Sequence, residues 1–261
     1  MKKIFLAGLF FLTACLSPSG GVGAIPEPTA TPQPASTRIL LTTKPVLSQQ
    51  GATVIPTIIP SPTASATPLP PEQYFTEEFD TVPGTWSAVY ASGDSSRVEI
   101  LNENDSLAFE LYSPVTWMYV IYSPFNYESV HIETRVESRG TEVNSIGLVC
   151  RYDEQKGWYE FNISNDGTYN VLYGQWLADG ISSYSHILND TSERIATGIA
   201  SNEISLDCYD DILQLYINNK IIRKLNVEHF GLTSGKVGLS LGSFEEVPVI
   251  LSFDWVKVSE P

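Results

Sequence analysis

Beyond Gln73 the chain has hardly a segment with the three-to-four-residue spacing of a helix. It runs instead through SRVEILNEN, SLAFELY, SVHIETRVES, VNSIGLVCRY, WYEFNIS, TYNVLYG, NEISLDC, ILQLYIN, KVGLSLG and VILSFDWVKVS. These stretches are short, rich in β-branched and aromatic residues, and separated by Gly, Asn, Asp and Pro, which predicts an antiparallel two-sheet sandwich. The segment 158–176, WYEFNISNDGTYNVLYGQW, sharpens the expectation. Tyr159, Phe161 and Ile163 share one face before the turn; Tyr169, Val171 and Tyr173 share one after it. A two-residue Asp166-Gly167 loop would set Ile163 opposite Asn170 and mix polar with apolar, because a one-residue slip turns every side chain to the other face. A three-residue Asn165-Asp166-Gly167 loop, with Gly167 left-handed and bulged, pairs Ile163 with Tyr169, Phe161 with Val171 and Tyr159 with Tyr173. That face is the predicted core. The opposite face carries Trp158, Glu160, Asn162, Asn170 and Leu172, with Trp176 diagonal to Trp158. Indoles beside amides and a carboxylate are the groups a sugar-binding surface uses, so Trp158, Glu160, Asn162, Asn170 and Trp176 are the candidate ligand site, with Trp158 accessible and Phe161 buried. A second aromatic set, Tyr112, Trp117, Tyr119 and Tyr122, extends the platform or enters the core. Asn218-Asn219 between ILQLYI and KIIRKL marks another hairpin.

The first 73 residues have a different pattern. MKKIFLAGLFFLTACLSP places two lysines before an apolar run that is short for a bilayer span, and residues 1–14 read as a signal peptide. Leu12-Thr13-Ala14-Cys15 resembles the lipobox of bacterial lipoproteins, which implies that Cys15 becomes the lipidated first residue of the mature chain; the competing reading is an ordinary secretory signal with a chance cysteine. Either way the expectation is an exported protein, and the lipid adds a membrane anchor facing the extracytoplasmic side. Residues 15–73 are rich in Pro, Thr, Ser and Ala with hardly a charge, a composition that does not bury enough apolar surface to offset its ordering entropy. They read as a tether, over ~100 Å long as polyproline II and nearer ~40 Å as a coil.

Residues 74–261 suffice for one sizeable domain. From Tyr74 onward 28 acidic side chains face 11 basic ones, a net charge near −17, which excludes nucleic acid as a partner. Besides Cys15 the chain has Cys150 and Cys208, and an even pair in an oxidising compartment reads as a disulfide rather than as two buried thiols. Zinc needs more ligands than these supply.

The succession FDTVPGTW, IGLVCRY, WYEFNISNDGTYNV, LDCYDDILQLYINNK, GKVGLSLG and VILSFDWVKV resembles the concanavalin A-like lectin/glucanase jelly rolls, including laminin G-like modules and keto-disaccharide hydrolase-like domains. The resemblance covers nearly all of residues 74–261. It implies a curved all-β sandwich of jelly-roll type whose concave or rim surface meets carbohydrate. It also implies a search for the two glutamates and the aspartate that retaining glucanases of this fold hold at alternate strand positions, and no such motif occurs. His131, Glu133, Arg135 and Glu137 come nearest, four ionisable side chains on one strand face, and read as a solvated face. Gly238-Leu-Ser240-Leu-Gly242 matches the letters of a nucleophile elbow but lacks the following helix, so Ser240 reads as a strand residue. His131, His186 and His229 stand far apart. Related sandwiches hold a structural calcium where the chain ends meet, which the resemblance places near Glu78, Asp80 and Asp254. The resulting expectation is a surface-anchored, non-catalytic module for glycan or another extracellular ligand; a glycosidase of the same fold and a structural protein-interaction domain are the rivals.

Overall fold

The computed structural model describes residues 70–80, 84–177 and 180–261; the signal peptide, Cys15 and nearly all of the Pro/Thr/Ser-rich stretch lie outside the described residues. The domain is two antiparallel sheets. The eight-stranded sheet holds β1 (Phe75–Glu77), β3 (Val98–Glu103), β4 (Ser106–Leu111), β6 (Val130–Ser138), β11 (Ala200–Tyr209), β12 (Ile212–Ile217), β13 (Lys220–Asn226) and β15 (Val249–Ser259). Its order is β13-β12-β11-β6-β15-β4-β3, with β1 also paired to β15. The seven-stranded sheet holds β2 (Trp86–Ser92), β5 (Trp117–Tyr127), β7 (Asn144–Asp153), β8 (Gly157–Ile163), β9 (Thr168–Trp176), β10 (Ser182–Thr191) and β14 (Gly235–Ser243). Its order is β10-β9-β8-β7-β14-β5-β2.

The hairpin register follows from the alternation. Ile163 pairs with Tyr169, Phe161 with Val171 and Tyr159 with Tyr173. The three-residue loop closes through Gly167 N–H to Ser164 C=O (3.0 Å) and Ser164 N–H to Thr168 C=O (2.9 Å). Gly167 takes φ +94°, the left-handed value the bulged loop requires. Asn218 and Asn219 form the two-residue turn between β12 and β13, both at positive φ, with Ile217 opposite Lys220. Such turns match the strand twist, and Asn tolerates the conformation.

Between the sheets, alternate residues meet in one core. Phe161, Tyr159, Leu148, Leu239 and Val120 come from the seven-stranded sheet; Phe109, Val136, Leu206, Leu215 and Phe253 come from the other. Cys150 on β7 and Cys208 on β11 are joined as a disulfide across this core, with their Cα atoms 6.6 Å apart. The bond therefore staples one sheet to the other.

Candidate functional site: the outer face of the seven-stranded sheet

Because the core takes every second side chain, the others of this sheet point away from it. Register aligns Asn170, Asn162, Gly147, Ser240 and Tyr119 across β9, β8, β7, β14 and β5. The neighbouring positions along the same strands are Leu172, Glu160, Val149, Gly238 and Ile121. From β10 to β5 is five strand steps, about 24 Å along a flat sheet. Yet the hydroxyls of Tyr184 on β10 and Tyr119 on β5 are 2.7 Å apart. Two tyrosine side chains do not bridge a flat sheet of that width. The sheet is curled, and its edge strand β10 reaches across the hollow to β5.

The hollow is filled by the chain's own side chains. Tyr119, Ile121, Val149, Tyr152 and Trp158 are buried in it, and Trp117, Trp176 and Tyr184 pack over them half-buried. Trp158 is the hub, with ring centroids 5.1 Å from Trp176, 5.2 Å from Tyr119, 5.4 Å from Tyr152 and 6.2 Å from Tyr184. Large rings lie flat here because small residues lie beneath them. A Cβ on Gly174 would come within 2.3 Å of the Trp158 indole, and one on Gly242 within 2.5 Å of Trp117. The Gly238-Leu-Ser240-Leu-Gly242 stretch gains its meaning from this: its leucines enter the core, and its small residues face the hollow as a bed for the aromatics.

Glu160 sits at the centre with no exposed surface. Its Oε1 accepts from Trp158 Nε1 (2.6 Å) and from the Tyr119 hydroxyl; its Oε2 accepts from Asn162 Nδ2 (3.1 Å), Ser240 Oγ (3.2 Å) and Trp117 Nε1 (3.3 Å). Five donors meet one carboxylate, and none carries a charge. Burial raises its pKa, since removing a charge from water outweighs what neutral donors return; the hydrogen bonds of Tyr119, Trp158, Asn162 and Ser240 pull the other way. Tyr119 gives its one proton to Glu160, so Tyr184 donates to Tyr119. Burial, followed by the nearby Glu160 carboxylate, pushes the Tyr184 phenol up to about 12, which keeps that proton in place.

The five residues expected to form a ligand surface do share this face, but the expected accessibility of Trp158 is corrected by the structure. Trp158, Glu160 and Asn162 are all fully buried. Alternation assigned the face correctly; the curl of the sheet, which brings Tyr184 and Trp176 over it, turned that face into a second core. Of the set only Asn170 and Trp176 are half-exposed. Asn170 accepts from Asn162 Nδ2 at 3.2 Å, and Trp176 donates to the Tyr152 hydroxyl at 3.1 Å. The second aromatic set divides. Tyr122 belongs to the main core, Tyr119 to the filled hollow, Tyr112 bonds Glu110 away from it, and Trp117 lies half-buried at its rim. Phe244, 40% exposed and not singled out from the sequence, packs edge-on to Trp117 at 6.0 Å; Trp117 lies 6.1 Å from Tyr184. The reachable aromatic strip is therefore Phe244, Trp117, Tyr184 and Trp176. The signal for Phe244 was weak, an aromatic just past a strand end.

On the eight-stranded sheet the ionisable ladder of β6 is paired rather than free. His131 Nδ1 meets Asp207 at 2.5 Å, Glu133 meets Lys257 at 3.9 Å, Arg135 meets Asp254 at 3.3 Å and Glu137 meets Arg139 at 4.0 Å. His186 and His229 are exposed and apart from these. Of the residues suggested for calcium, Glu78 and Asp80 are exposed and Asp254 is engaged by Arg135. Among the described residues no three metal-ligating side chains converge.

No family model matches the sequence, and no curated protein does. Solved structures do. A family 16 glycoside hydrolase of a mixed-linkage glucan locus from Bacteroides ovatus, in complex with G4G4G3G product, superposes with TM-score 0.51 at 12% identity, over 71% of this chain and 99% of that one. A β-glucanase from Bacillus licheniformis superposes at 0.51 and 13% identity, over 72% and 98%. A structure described with endo-acting O-glycanases of the human gut microbiota superposes at 0.53 and 11%, over 72% and 98%. At such identities the likeness concerns architecture. The described domain has the concanavalin A-like jelly-roll fold, an all-β sandwich of two antiparallel sheets.

Proposed function

We propose that this chain is a non-catalytic glycan-binding module carried on a lipid anchor. The observation that carries the reading is the half-exposed aromatic set Phe244, Trp117, Tyr184 and Trp176: Phe244, Trp117 and Tyr184 pack ring to ring, and Tyr184 and Trp176 both pack on the buried Trp158. Ring faces provide apolar area for the C–H faces of sugars, and Asn170 and the exposed His186 and Asn189 of the adjoining strands offer hydrogen bonds. The net charge near −17 on residues 74–261 favours an uncharged glycan over uronates or sulfates. Hydrolysis by paired carboxylates needs two of them roughly 5 to 10 Å apart across the substrate. At the outward positions of this sheet Glu160 stands alone among the described residues, and both its oxygens are occupied.

The test is a glycan array probed with the full chain in detergent, beside a reducing-sugar assay on the same panel. Trp117→Ala is expected to weaken binding roughly tenfold or more, the loss typical of a half-buried aromatic anchor, and also to lower the midpoint of unfolding, because it removes a donor to Glu160 and part of the packing over the hollow; binding is therefore compared at a temperature where the variant is fully folded. Array signals that ignore both Trp117→Ala and Tyr184→Ala contradict the strip. Release of reducing ends by the wild type favours the hydrolase instead.

The anchor is a separate part of the proposal and rests on Leu12-Thr13-Ala14-Cys15. Lipid attachment at Cys15 stabilises membrane association by about 0.8 kcal/mol per buried methylene, and more than one chain holds the protein durably. Cys15→Ser is expected to abolish acyl labelling and to release a folded domain from the membrane fraction. Unchanged labelling and fractionation refute the anchor without touching the binding reading.

A further inference from the structure

On the far side of the molecule, the outer face of the eight-stranded sheet carries a recess of about 700 Å³. Its lining includes three tyrosines, Tyr74, Tyr209 and Tyr216, and three carboxylates, Asp207, Asp210 and Glu260; no lysine or arginine lines it. Period two on β11 and β12 explains the arrangement. Leu206, Cys208, Leu213 and Leu215 enter the core, so Asp207, Tyr209, Gln214 and Tyr216 face out, with Gln214 directly opposite Asp207. Asp207 is only 6% exposed and is held by His131 Nδ1 at 2.5 Å and by the Tyr216 hydroxyl at 2.7 Å. The carboxylates of Asp210 and Glu260 form no ion pair among the described residues, although the buried Arg151 guanidinium donates to the Asp210 backbone carbonyl at 2.5 Å. The chain also supplies its own example of what these rings accept. Lys224, which is not part of the lining, places its ammonium 5.4 Å from the centroid of the Tyr209 ring.

We propose that this recess binds a small alkylated ammonium ion. Tyrosine faces attract such a cation through their quadrupole, and an alkylated ammonium sheds its weakly held water readily. Asp210 and Glu260 supply the compensating charge at the rim. The volume suits a ligand of this size, since small-molecule sites commonly fall between roughly 300 and 1,000 Å³. A hard metal cation does not suit the lining, because it requires converging oxygen ligands and no three ligating side chains converge among the described residues. A neutral ligand would strip water from Asp210 and Glu260 and return at most neutral hydrogen bonds, which leave their charge uncompensated.

The experiment titrates the full chain with choline chloride and, in parallel, with 3,3-dimethyl-1-butanol, which has the same shape without the charge, at constant ionic strength. Choline is expected to bind saturably and at least tenfold more tightly than the alcohol. Tyr209→Leu and Asp210→Asn should each weaken choline at least fivefold; Asn keeps the left-handed backbone that Asp210 adopts at φ +46°. Trp117→Ala, on the opposite face, should leave choline binding unchanged, which separates this site from the glycan strip. Absence of saturable choline binding overturns the proposal. So does equal affinity for the alcohol, or choline binding indifferent to both substitutions, which would be diffuse attraction to an acidic surface.

Discussion

Glu160→Leu is expected to destabilise the domain by roughly 3 to 5 kcal/mol, a loss read from the shift in urea midpoint at unchanged slope. The substitution removes the acceptor of five donors; Asn162 keeps Asn170, the Tyr119 hydroxyl keeps Tyr184 beside it and Trp117 is half-buried, so the loss falls chiefly on Trp158 and Ser240, at about 1 to 3 kcal/mol for each buried donor left without a partner, and the relief of no longer burying a carboxylate offsets part of the sum. Glu160→Gln keeps one acceptor oxygen and should cost less. A leucine variant as stable as the wild type would mean that burying the carboxylate already costs as much as its five hydrogen bonds return. The direction of the Glu160 pKa adds a signature in pH. Its folded-state pKa is raised by burial, so the folded protein holds this proton where the unfolded chain has lost it. Its contribution to stability is therefore full below the unfolded glutamate pKa and is lost as pH rises through the folded value. The difference in stability between wild type and Glu160→Gln should shrink as pH climbs from mild acid toward neutrality. Asp207, on which burial acts upward but the hydrogen bonds of His131, Tyr216 and Gln214 and the His131 charge together bring the pKa below the ordinary value, acts in the opposite sense, which is why the difference rather than the raw profile carries the information.

Removing the Cys150–Cys208 bond is the second large effect. The two residues are 58 positions apart, and closing a loop of that length restricts the unfolded chain by about 4 kcal/mol on the chain-entropy account. The double variant Cys150→Ala/Cys208→Ala should unfold at a markedly lower temperature, and peptide mapping without reductant should recover the two cysteines linked. Both are fully buried, so reductant is expected to act on the unfolded chain and to show its effect on refolding. Two alkylatable thiols in the native protein would contradict the bond.

Much of this architecture was legible in the residues, and the limits have a physical pattern. The β8–β9 register followed from period two joined to the left-handed preference of glycine, both local properties. The Asn218-Asn219 turn was legible for the same reason. Four strands were not singled out. β5 is apolar on both faces, with Met118 and Val120 in one core and Tyr119 and Ile121 in the other, so it shows no alternation. β2 and β10 lie at the sheet edge and are largely polar or half-exposed, and β1 is three residues long. The depth of Trp158 was beyond reach for another reason. Alternation says which face a side chain takes, whereas the curl that covers that face is set by contacts between Tyr119 and Tyr184, 65 residues apart. The same holds for Glu160. Its solitude on the face could be read from the absence of a paired-carboxylate motif, but its five donors come from strands that only the fold brings together.

The point where the N-terminal stretch joins the sandwich has a mechanical meaning. β1 is held to β15 by three residue pairs, Phe75 with Val258, Thr76 with Lys257 and Glu77 with Val256. Just before it, the hydroxyls of Tyr122 and Tyr127 donate to the carbonyls of Glu72 and Gln73, each at 2.6 Å. Were the chain anchored through Cys15 as proposed, tension entering the domain from its N-terminal side would load these bonds first, ahead of any long strand pair. When they yield, the chain pays out the length of β1 while the remaining strands stay paired and the Cys150–Cys208 bond keeps the sheets together. A pull strong enough to strip β1 is thus converted into a few residues of slack, and the aromatic rim and the tyrosine recess remain on an intact body, the recess losing only Tyr74.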